Sequence, residues 1–387
     1  MPNLADWTSF RNEWSALLEC TSPVPDRSHF SELLGLVDWP RLLVLAEEHG
    51  VLGHLTAKLN AVDDSWVPPD FRQAFLERHR EQVFSTLGMT AELFRVLELF
   101  ETKNIQALAI KGPVLAIQAY GDAAMRSYGD LDLLVRQRDI RRATEAMLAS
   151  GYQAAVPLSA IDAGKIPGQY LFSKPDLKLL VELHNDLTLR YFPRPLPIED
   201  FFARQVRVRL DAQEAPALGV EDELVLICIH GAKHFWERLI WIADVAALVT
   251  CQTGIDWERA EESARAVGAE HLLNTGLRLA SDLLRAQLPE KVAARVRADG
   301  SAAQLVRAIE RWLPAAGYAP PGLFERALFR MRMRGGLFAA PAYLLRLTLA
   351  PTEEDWQKNG QLSENRFLDI LRRPFRLARK YSRSGKS

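Results

Sequence analysis

The chain has 387 residues, of which 48% are hydrophobic and 25% charged, which excludes a disordered protein and allows a large core in two or three domains. Its 48 Lys and Arg residues are balanced by 49 Asp and Glu residues, so no overall positive field attracts long nucleic acids. The chain has three cysteines, which lack metal-type spacing, and its N-terminus lacks the apolar core of a signal peptide. No apolar run reaches the roughly 18 residues of a membrane span. We therefore expect a cytoplasmic protein without a transmembrane segment.

Residues 1–104 are predicted to form an N-terminal helical region. Gly50 and Gly53 are expected to separate two helices, and 71–103 shows one uninterrupted helical pattern that predicts a long or kinked helix. Four histidines of this region are predicted to be structural or exposed, because no second ligand lies at a chelating spacing. They are His29, His49, His54 and His79.

The stretch 105–135 contains two predicted strands with polar groups at their ends. The first strand, IQALAI, runs into the turn KGP, and a helix-length spacer leads to the second strand, DLDLLV. Side chains two apart in a strand project from the same face, so Asp130 and Asp132 are expected to lie together. Two neighbouring carboxylates repel each other and are costly to desolvate unless a cation lies between them, which favours a divalent metal site over a solvated strand edge.

A third acid lies in a later strand. The segment 136–152 is typical of a helix, and the segments YLFSK and LKLLVELHNDL are typical of strands joined by a turn at Pro175 and Asp176. Glu182 interrupts the apolar pattern of the last strand. His184 shares its face and is expected to orient this carboxylate rather than to contact a substrate.

Cationic groups flank these acids. Arg126 lies in the loop before the second strand, where its guanidinium either holds a phosphate or pairs with Asp122. Three convergent acids, a glycine turn at Gly112 and the cations Lys111 and Arg126 suit phosphoryl chemistry that depends on Mg²⁺, which takes oxygen ligands from carboxylates and phosphates. A small mixed sheet backed by helices at about 105–190 predicts an α+β fold.

Beyond the sheet, the proline-rich segment YFPRPLPIED at about 191–200 is predicted to be a linker, and 198–350 is predicted to be a C-terminal helical domain. Within it, His230, Lys233 and His234 share one helix face and are expected to form a basic cluster directed at phosphate.

The same helices allow a structural interpretation. They would then be a buried pair with an internal ion pair, such as Arg238 with Asp244. A zinc site at the His-x-x-x-His spacing is disfavoured, because the glutamate of the peptidase motif is absent.

Residues 351–387 are predicted to be a basic C-terminal segment, since 366–387 contains eight Lys or Arg residues and one acid. The first half of 366–387 has helical spacing of its apolar residues and is expected to pack. The alternatives are a solvated tail and an amphipathic helix that binds an anionic membrane surface or RNA. The apolar residues are Phe367, Ile370, Leu371 and Phe375.

Four strings carry a resemblance to a known family, namely KGPVLAIQAYGD, MRSYGDLDLLV, VELHNDL and HGAKHFWERLIWIADVAAL. They resemble an uncharacterised bacterial nucleotidyltransferase family of the DNA polymerase beta-like nucleotidyltransferase superfamily. The resemblance implies a small mixed β-sheet nucleotidyltransferase core at 105–190, embedded between the N-terminal and C-terminal helical regions. The chain departs from the superfamily in having Gly112-Pro113 where Gly-Ser or Gly-Gly is usual, which removes one backbone donor, and in a longer spacer before Asp130.

The resemblance also implies an activity, in which a nucleoside monophosphate passes from an NTP to a hydroxyl or phosphate of a small-molecule or peptide acceptor and pyrophosphate is released. Asp130, Asp132 and Glu182 would be the catalytic residues and would hold Mg²⁺ or Mn²⁺, with Glu182 acting either as a ligand or as the base. The predicted nucleotide-binding residues are Lys111, Gly112, Arg126, Lys233 and His234. Acceptors in this superfamily include tRNA ends, which the balanced charge of the chain disfavours without excluding them.

Two other classes of function are compatible with the motifs. An Asp-x-Asp pair also holds Mn²⁺ and a sugar-nucleotide in many glycosyltransferases, although their large parallel sheet would precede the motif and the preceding region here is helical. The second alternative is a non-catalytic nucleotide-binding protein on the same scaffold.

Overall fold

The computed structural model describes residues 10–62, 66–158, 161, 168–174, 179–186, 196–315 and 320–333. These residues form a mostly helical molecule with a mixed seven-stranded sheet in the middle, which confirms the predicted α+β class. Within the described residues, every helix is too short or too polar to traverse a lipid bilayer.

Three groups of predicted features fall outside the described residues. They are the turn at Pro175-Asp176, the first half of the predicted linker at 191–200 and the whole basic segment 351–387. The expectations for these segments stay predictions.

The sheet has the strand order β3-β4-β5-β2-β1-β7-β6. In this order, β2 pairs antiparallel with β1 and parallel with β5, and β4 pairs antiparallel with β5. The strands are β1 (Ala107–Ile110), β2 (Asp130–Val135), β3 (Gln153–Ala154), β4 (Gln169–Lys174), β5 (Leu179–His184), β6 (Val206–Leu210) and β7 (Gln213–Ala217).

The hairpin of β6 and β7 corrects the expectation that the chain is helical from 198 onward. The segment VRVRL alternates apolar and charged residues, which is the period of a strand, and Asp211 at φ 54° makes the tight turn. Strand β7 adds to the sheet beside β1 in a parallel pair through Ala109 and Ala217. The sheet therefore includes strands from beyond the predicted core at 105–190.

The helices before the sheet largely follow their predicted pattern. Helix α5 is a single helix of 34 residues, which confirms the long helix, and Gly50 at φ 70° lies between α3 and α4. The expectation for Gly53 was wrong, because this residue lies inside α4. These helices are α1 (Arg11–Thr21), α2 (Arg27–Leu34), α3 (Trp39–Glu48), α4 (Leu52–Leu59) and α5 (Pro69–Thr102).

Helices lie on both faces of the sheet. One sheet face, with Leu131, Leu133 and Val181, packs against α5 and α7, and the other faces α9. The remaining helices are α6 (Gly112–Tyr120), α7 (Ile140–Ala149), α8 (Ile198–Ala203), α9 (Val220–Lys233), α10 (Leu239–Cys251), α11 (Trp257–Val267), α12 (Glu270–Leu284), α13 (Glu290–Ala298), α14 (Gly300–Trp312) and α15 (Leu323–Arg332).

Candidate functional site

Strand register brings two of the predicted acids together. Strands β2 and β5 are parallel neighbours, and Asp132 is the direct partner of Glu182. Neighbouring strands lie about 4.8 Å apart, so side chains at partner positions on one face meet. One ligand atom each from Asp132, Glu182 and His184 lies within 4.8 Å of the others. These three residues form a compact group of oxygen and nitrogen donors, called here the carboxylate cluster.

His184 contacts both acids of the carboxylate cluster. Its Nε2 lies 2.6 Å from Asp132 Oδ1 and 3.4 Å from Glu182 Oε2. Although burial opposes the charged imidazole, these two carboxylates raise the pKa of His184 above its usual range. The contacts are those expected of a residue that orients the carboxylates.

Lys111 supplies a second cation at the same oxygen. Its Nζ lies 3.1 Å from Asp132 Oδ1, and both side chains are buried. Burial opposes ionisation of Asp132, but Lys111 and His184 together hold its pKa well below the usual range. The carboxylate of Asp132 is therefore ionised and is held by two cationic groups.

Gly112 begins α6 directly beside Lys111. It has φ 44°, and a Cβ placed on it would meet no atom within 4 Å. The space in front of this helix N-terminus is open. Backbone N–H groups at the start of a helix are suited to binding an anion, and Pro113, in the first turn, lacks one such donor.

Asp130 lies at the half-buried start of β2, outside the carboxylate cluster. Its partner position in β5 is Leu180 rather than an acid. Burial, together with the charges of Asp132 and Glu182, raises the pKa of Asp130 to about 6. The structure thus places His184, not Asp130, among the three closest donors, and a metal-ligand role for Asp130 stays a prediction.

Lys233 reaches the carboxylate cluster through Gln169, a residue that the sequence analysis missed. Lys233 Nζ donates to Gln169 Oε1 at 2.8 Å, and Gln169 Nε2 donates to Glu182 Oε2 at 3.0 Å. Gln169 is the first residue of β4, and only the antiparallel register of β4 with β5 brings it near Glu182. Sequence alone does not supply that register.

The two histidines of the predicted basic cluster lie in an aromatic group. The ring centroids of His230 and His234 are 4.7 Å apart, and both rings contact Trp241. Burial and the nearby lysines lower the pKa of His234 to about 3 and that of His230 well below its usual range. Both imidazoles are neutral at pH 7, so the expectation of a three-residue basic cluster was wrong and Lys233 is its one cation. Nucleotide binding by His234 stays a prediction.

Arg126 is buried beside the site and is paired with Asp244. Its Nε lies 2.9 Å from Asp244 Oδ2, and Tyr120 donates its hydroxyl to Asp244 Oδ1 at 2.8 Å. Helix α10 packs on α6 and carries Asp244 to this position. The alternative pairs, Arg126 with Asp122 and Arg238 with Asp244, were therefore wrong. A phosphate contact by Arg126 stays a prediction.

A cavity of about 40 Å³ lies between the sheet and α9, beside the carboxylate cluster. Lys111, His184 and Lys233 line it on the side of the acids, and apolar side chains, including Leu134 and Leu226, line the rest. The carboxylate cluster thus adjoins a partly apolar recess.

Comparison with protein families gives one finding. The profile of the family described as uncharacterised nucleotidyltransferase matches residues 36–285, which is more than half of the chain. This match spans β1, β2, β5 and α9, and therefore every residue of the carboxylate cluster. A search of curated proteins finds no significant match.

Proposed function

The chain belongs to the uncharacterised nucleotidyltransferase family, and on this premise we propose that it is a metal-dependent nucleotidyltransferase. It would transfer a nucleoside monophosphate from an NTP to a hydroxyl or phosphate of a small-molecule or peptide acceptor and release pyrophosphate. The observation that carries the proposal is the register pairing of Asp132 with Glu182 beside Lys111 and the open N-terminus of α6.

The donor set suits a divalent cation. Two carboxylates with oxygen atoms within 4.8 Å of each other offer the oxygen ligands that Mg²⁺ and Mn²⁺ take. In the structure, Lys111 and His184 supply the positive charge that the buried Asp132 requires. Asp132 and Glu182 would hold the metal, and His184 would orient both acids through its contacts with them. When bound, Mg²⁺ would neutralise phosphate charge and stabilise the entering and leaving oxygens.

The reaction is an in-line displacement at the α-phosphorus. A bond forms between the acceptor oxygen and the α-phosphorus, the bond from the α-phosphorus to the bridging oxygen of the β-phosphate breaks, and pyrophosphate leaves with that electron pair. The acceptor proton passes to Glu182, whose side chain is 25% exposed and therefore reachable, whereas the side chain of Asp132 is 6% exposed. Gln169 fixes the orientation of Glu182 through its hydrogen bond.

The lysines have complementary roles in this proposal. Lys111 contacts Asp132, Lys233 contacts Gln169 beside Glu182, and both offset the charge that develops on pyrophosphate. The backbone at Gly112 allows the phosphates to approach closely, since no side chain fills the space in front of it.

The proposal is tested by following labelled phosphates. The full chain is incubated with Mg²⁺ or Mn²⁺, a cell extract as the source of acceptors, and each NTP labelled at either the α- or the γ-phosphate. We expect the α-label to appear in a product heavier by one nucleoside monophosphate and the γ-label to appear in pyrophosphate. Glu182→Gln should reduce this transfer at least about 100-fold, since it removes the base.

Other outcomes exclude the proposal. Product labelled from a sugar-nucleotide but not from any NTP would assign glycosyl transfer. Metal-dependent NTP binding without any labelled product would assign a binding protein. In both cases nucleotidyl transfer is excluded.

A further inference from the structure

Lys111 has a backbone conformation that is rare for any residue other than glycine. It has φ 54° and ψ −140°, between the end of β1 and the first residue of α6. Such conformations persist only where the surrounding structure enforces them, and they cluster at functional sites. A glycine at this position would remove the strain but would also remove the ammonium that contacts Asp132. Something must therefore hold Lys111 in place.

Glu223 makes the contact that does this. It lies in the first turn of α9 and is completely buried, and its Oε1 accepts the backbone N–H of Lys111 at 3.0 Å. Its other oxygen, Oε2, has no hydrogen-bond partner among the described residues. A buried carboxylate with one oxygen unpartnered is destabilising in itself. Fold stability alone does not account for a carboxylate at this position.

The neighbouring acids of the same helical turn have other partners. Glu221 binds Arg259 and the backbone N–H of Asp256, and Asp222 binds Arg204. These contacts attach α9 to surrounding elements. Glu223 differs from both neighbours because it points at the residue that joins β1 to the site.

We propose that Glu223 is a positioning residue that holds Lys111 in its strained conformation, so that the Lys111 ammonium stays at Asp132. The proposal rests on the proposed function, in which Lys111 offsets phosphate charge. Glu223 itself contacts the backbone of Lys111 and none of the three residues of the carboxylate cluster. Burial raises the pKa of Glu223 to about 7, against the opposing effects of the Lys111 N–H and of the charges on Lys111 and Arg126.

The test compares two substitutions with opposite chemistry. Glu223→Gln keeps an oxygen that accepts the Lys111 N–H, whereas Glu223→Leu replaces this acceptor with an apolar side chain of similar size. We expect Glu223→Leu to lower kcat/KM for the NTP, measured by α-label transfer, at least about tenfold. Glu223→Gln should lower the same kcat/KM less than about threefold. Because Glu223→Leu leaves the buried Lys111 N–H without its acceptor, it should also unfold at a lower temperature than Glu223→Gln, so transfer is compared at a temperature at which both variants are folded. Glu223→Met is the second apolar variant if Glu223→Leu does not fold.

Two readouts separate positioning from general stabilisation. Hydrogen exchange of peptides containing Lys111 should be faster in Glu223→Leu than in Glu223→Gln, and the control Glu221→Gln should exchange there at the wild-type rate. The double variant Lys111→Met with Glu223→Leu should transfer label less than about threefold more slowly than Lys111→Met alone. This is expected because the two residues act as a unit.

The outcomes distinguish this proposal from the proposed function. Unchanged exchange at Lys111 in Glu223→Leu, or additive effects of the two substitutions, would overturn the positioning role. Absence of transfer by the wild-type chain would instead overturn the proposed function, and the exchange measurement would still decide whether Glu223 holds Lys111.

Discussion

At the scale of single residues, His54 shows how burial sets a response to pH. Its ring is buried against Tyr120, with 4.7 Å between ring centroids, and neither ring nitrogen has a hydrogen-bond partner among the described residues. Burial lowers the pKa of His54 to about 4, with a smaller effect from Lys58. Burial likewise lowers the pKa of His49 to about 4. Both histidines are therefore neutral in the folded chain at pH 7.

This gives a prediction for acid stability. Below pH 6.5 the unfolded chain binds protons at these histidines while the folded chain does not, so the contribution of these two histidines to stability falls as the pH decreases from about 6.5 to 4. Each histidine contributes up to about 3 kcal/mol of this loss. Over that range in urea unfolding, His54→Phe should lose up to about 3 kcal/mol less stability than the wild type, while His49, His230 and His234 still contribute their own losses. The same loss in both proteins would contradict the burial argument.

The ion pair of Arg126 with Asp244 gives a second prediction at this scale. Both side chains are buried, so Arg126→Met leaves the Asp244 charge without its partner. We expect a loss of about 3–5 kcal/mol in the free energy of unfolding. Replacing both residues, in Arg126→Met with Asp244→Leu, should recover most of this loss. A double variant no more stable than the single one would show that the pair is not the source of the effect.

At the scale of elements, the position of α4 is fixed by a close approach at Gly53. A Cβ on Gly53 would lie 2.8 Å from the carbonyl oxygen of Ala124 and 2.9 Å from that of Met125. These carbonyls belong to the short turn that leads through Arg126 into β2. The glycine inside α4 is therefore a contact between the N-terminal helices and the loop that enters the site, and not the helix breaker that the sequence predicted.

This contact predicts opposite effects of one substitution at two helical glycines. Gly53→Ala should destabilise the chain by about 1–3 kcal/mol, since backbone atoms must move. The matched control is Gly88→Ala in α5, where nothing lies within 4 Å of the new Cβ. It should stabilise the chain by about 0.5–1 kcal/mol, because alanine favours a helix more than glycine does. Equal effects at the two sites in thermal unfolding would contradict the close approach.

At the scale of the whole molecule, periodicity predicts elements but not their neighbours. The period-2 pattern around Asp132 and Glu182 located both strands, and helical spacing located α5. The parallel pairing of β2 with β5, which makes Asp132 and Glu182 partners, depends on the order of strands in the sheet. That order results from packing between segments far apart in the chain, so no local pattern contains it.

The same reason explains the site residues that sequence reasoning missed. Gln169 and Glu223 have no distinctive local pattern, and each is identified only by the group it contacts, which is Glu182 or the Lys111 backbone. The resemblance to nucleotidyltransferases was confirmed by the family match over residues 36–285. The hairpin at 206–217 differs from these residues, because the alternating sequence VRVRL is a local strand pattern. The prediction of continuous helix from 198 onward did not use this pattern.

In the proposed function, Asp132 and Glu182 form one metal-dependent centre for nucleotidyl transfer. We would measure Mn²⁺ binding by electron paramagnetic resonance and α-label transfer in the same samples of wild type, Asp132→Asn and the control Glu101→Gln. Glu101 is an exposed carboxylate on α5, which covers the opposite face of the sheet. We predict that Asp132→Asn keeps its circular dichroism and loses both Mn²⁺ binding and transfer, while Glu101→Gln keeps both. Transfer by Asp132→Asn at the wild-type rate would contradict the proposed function.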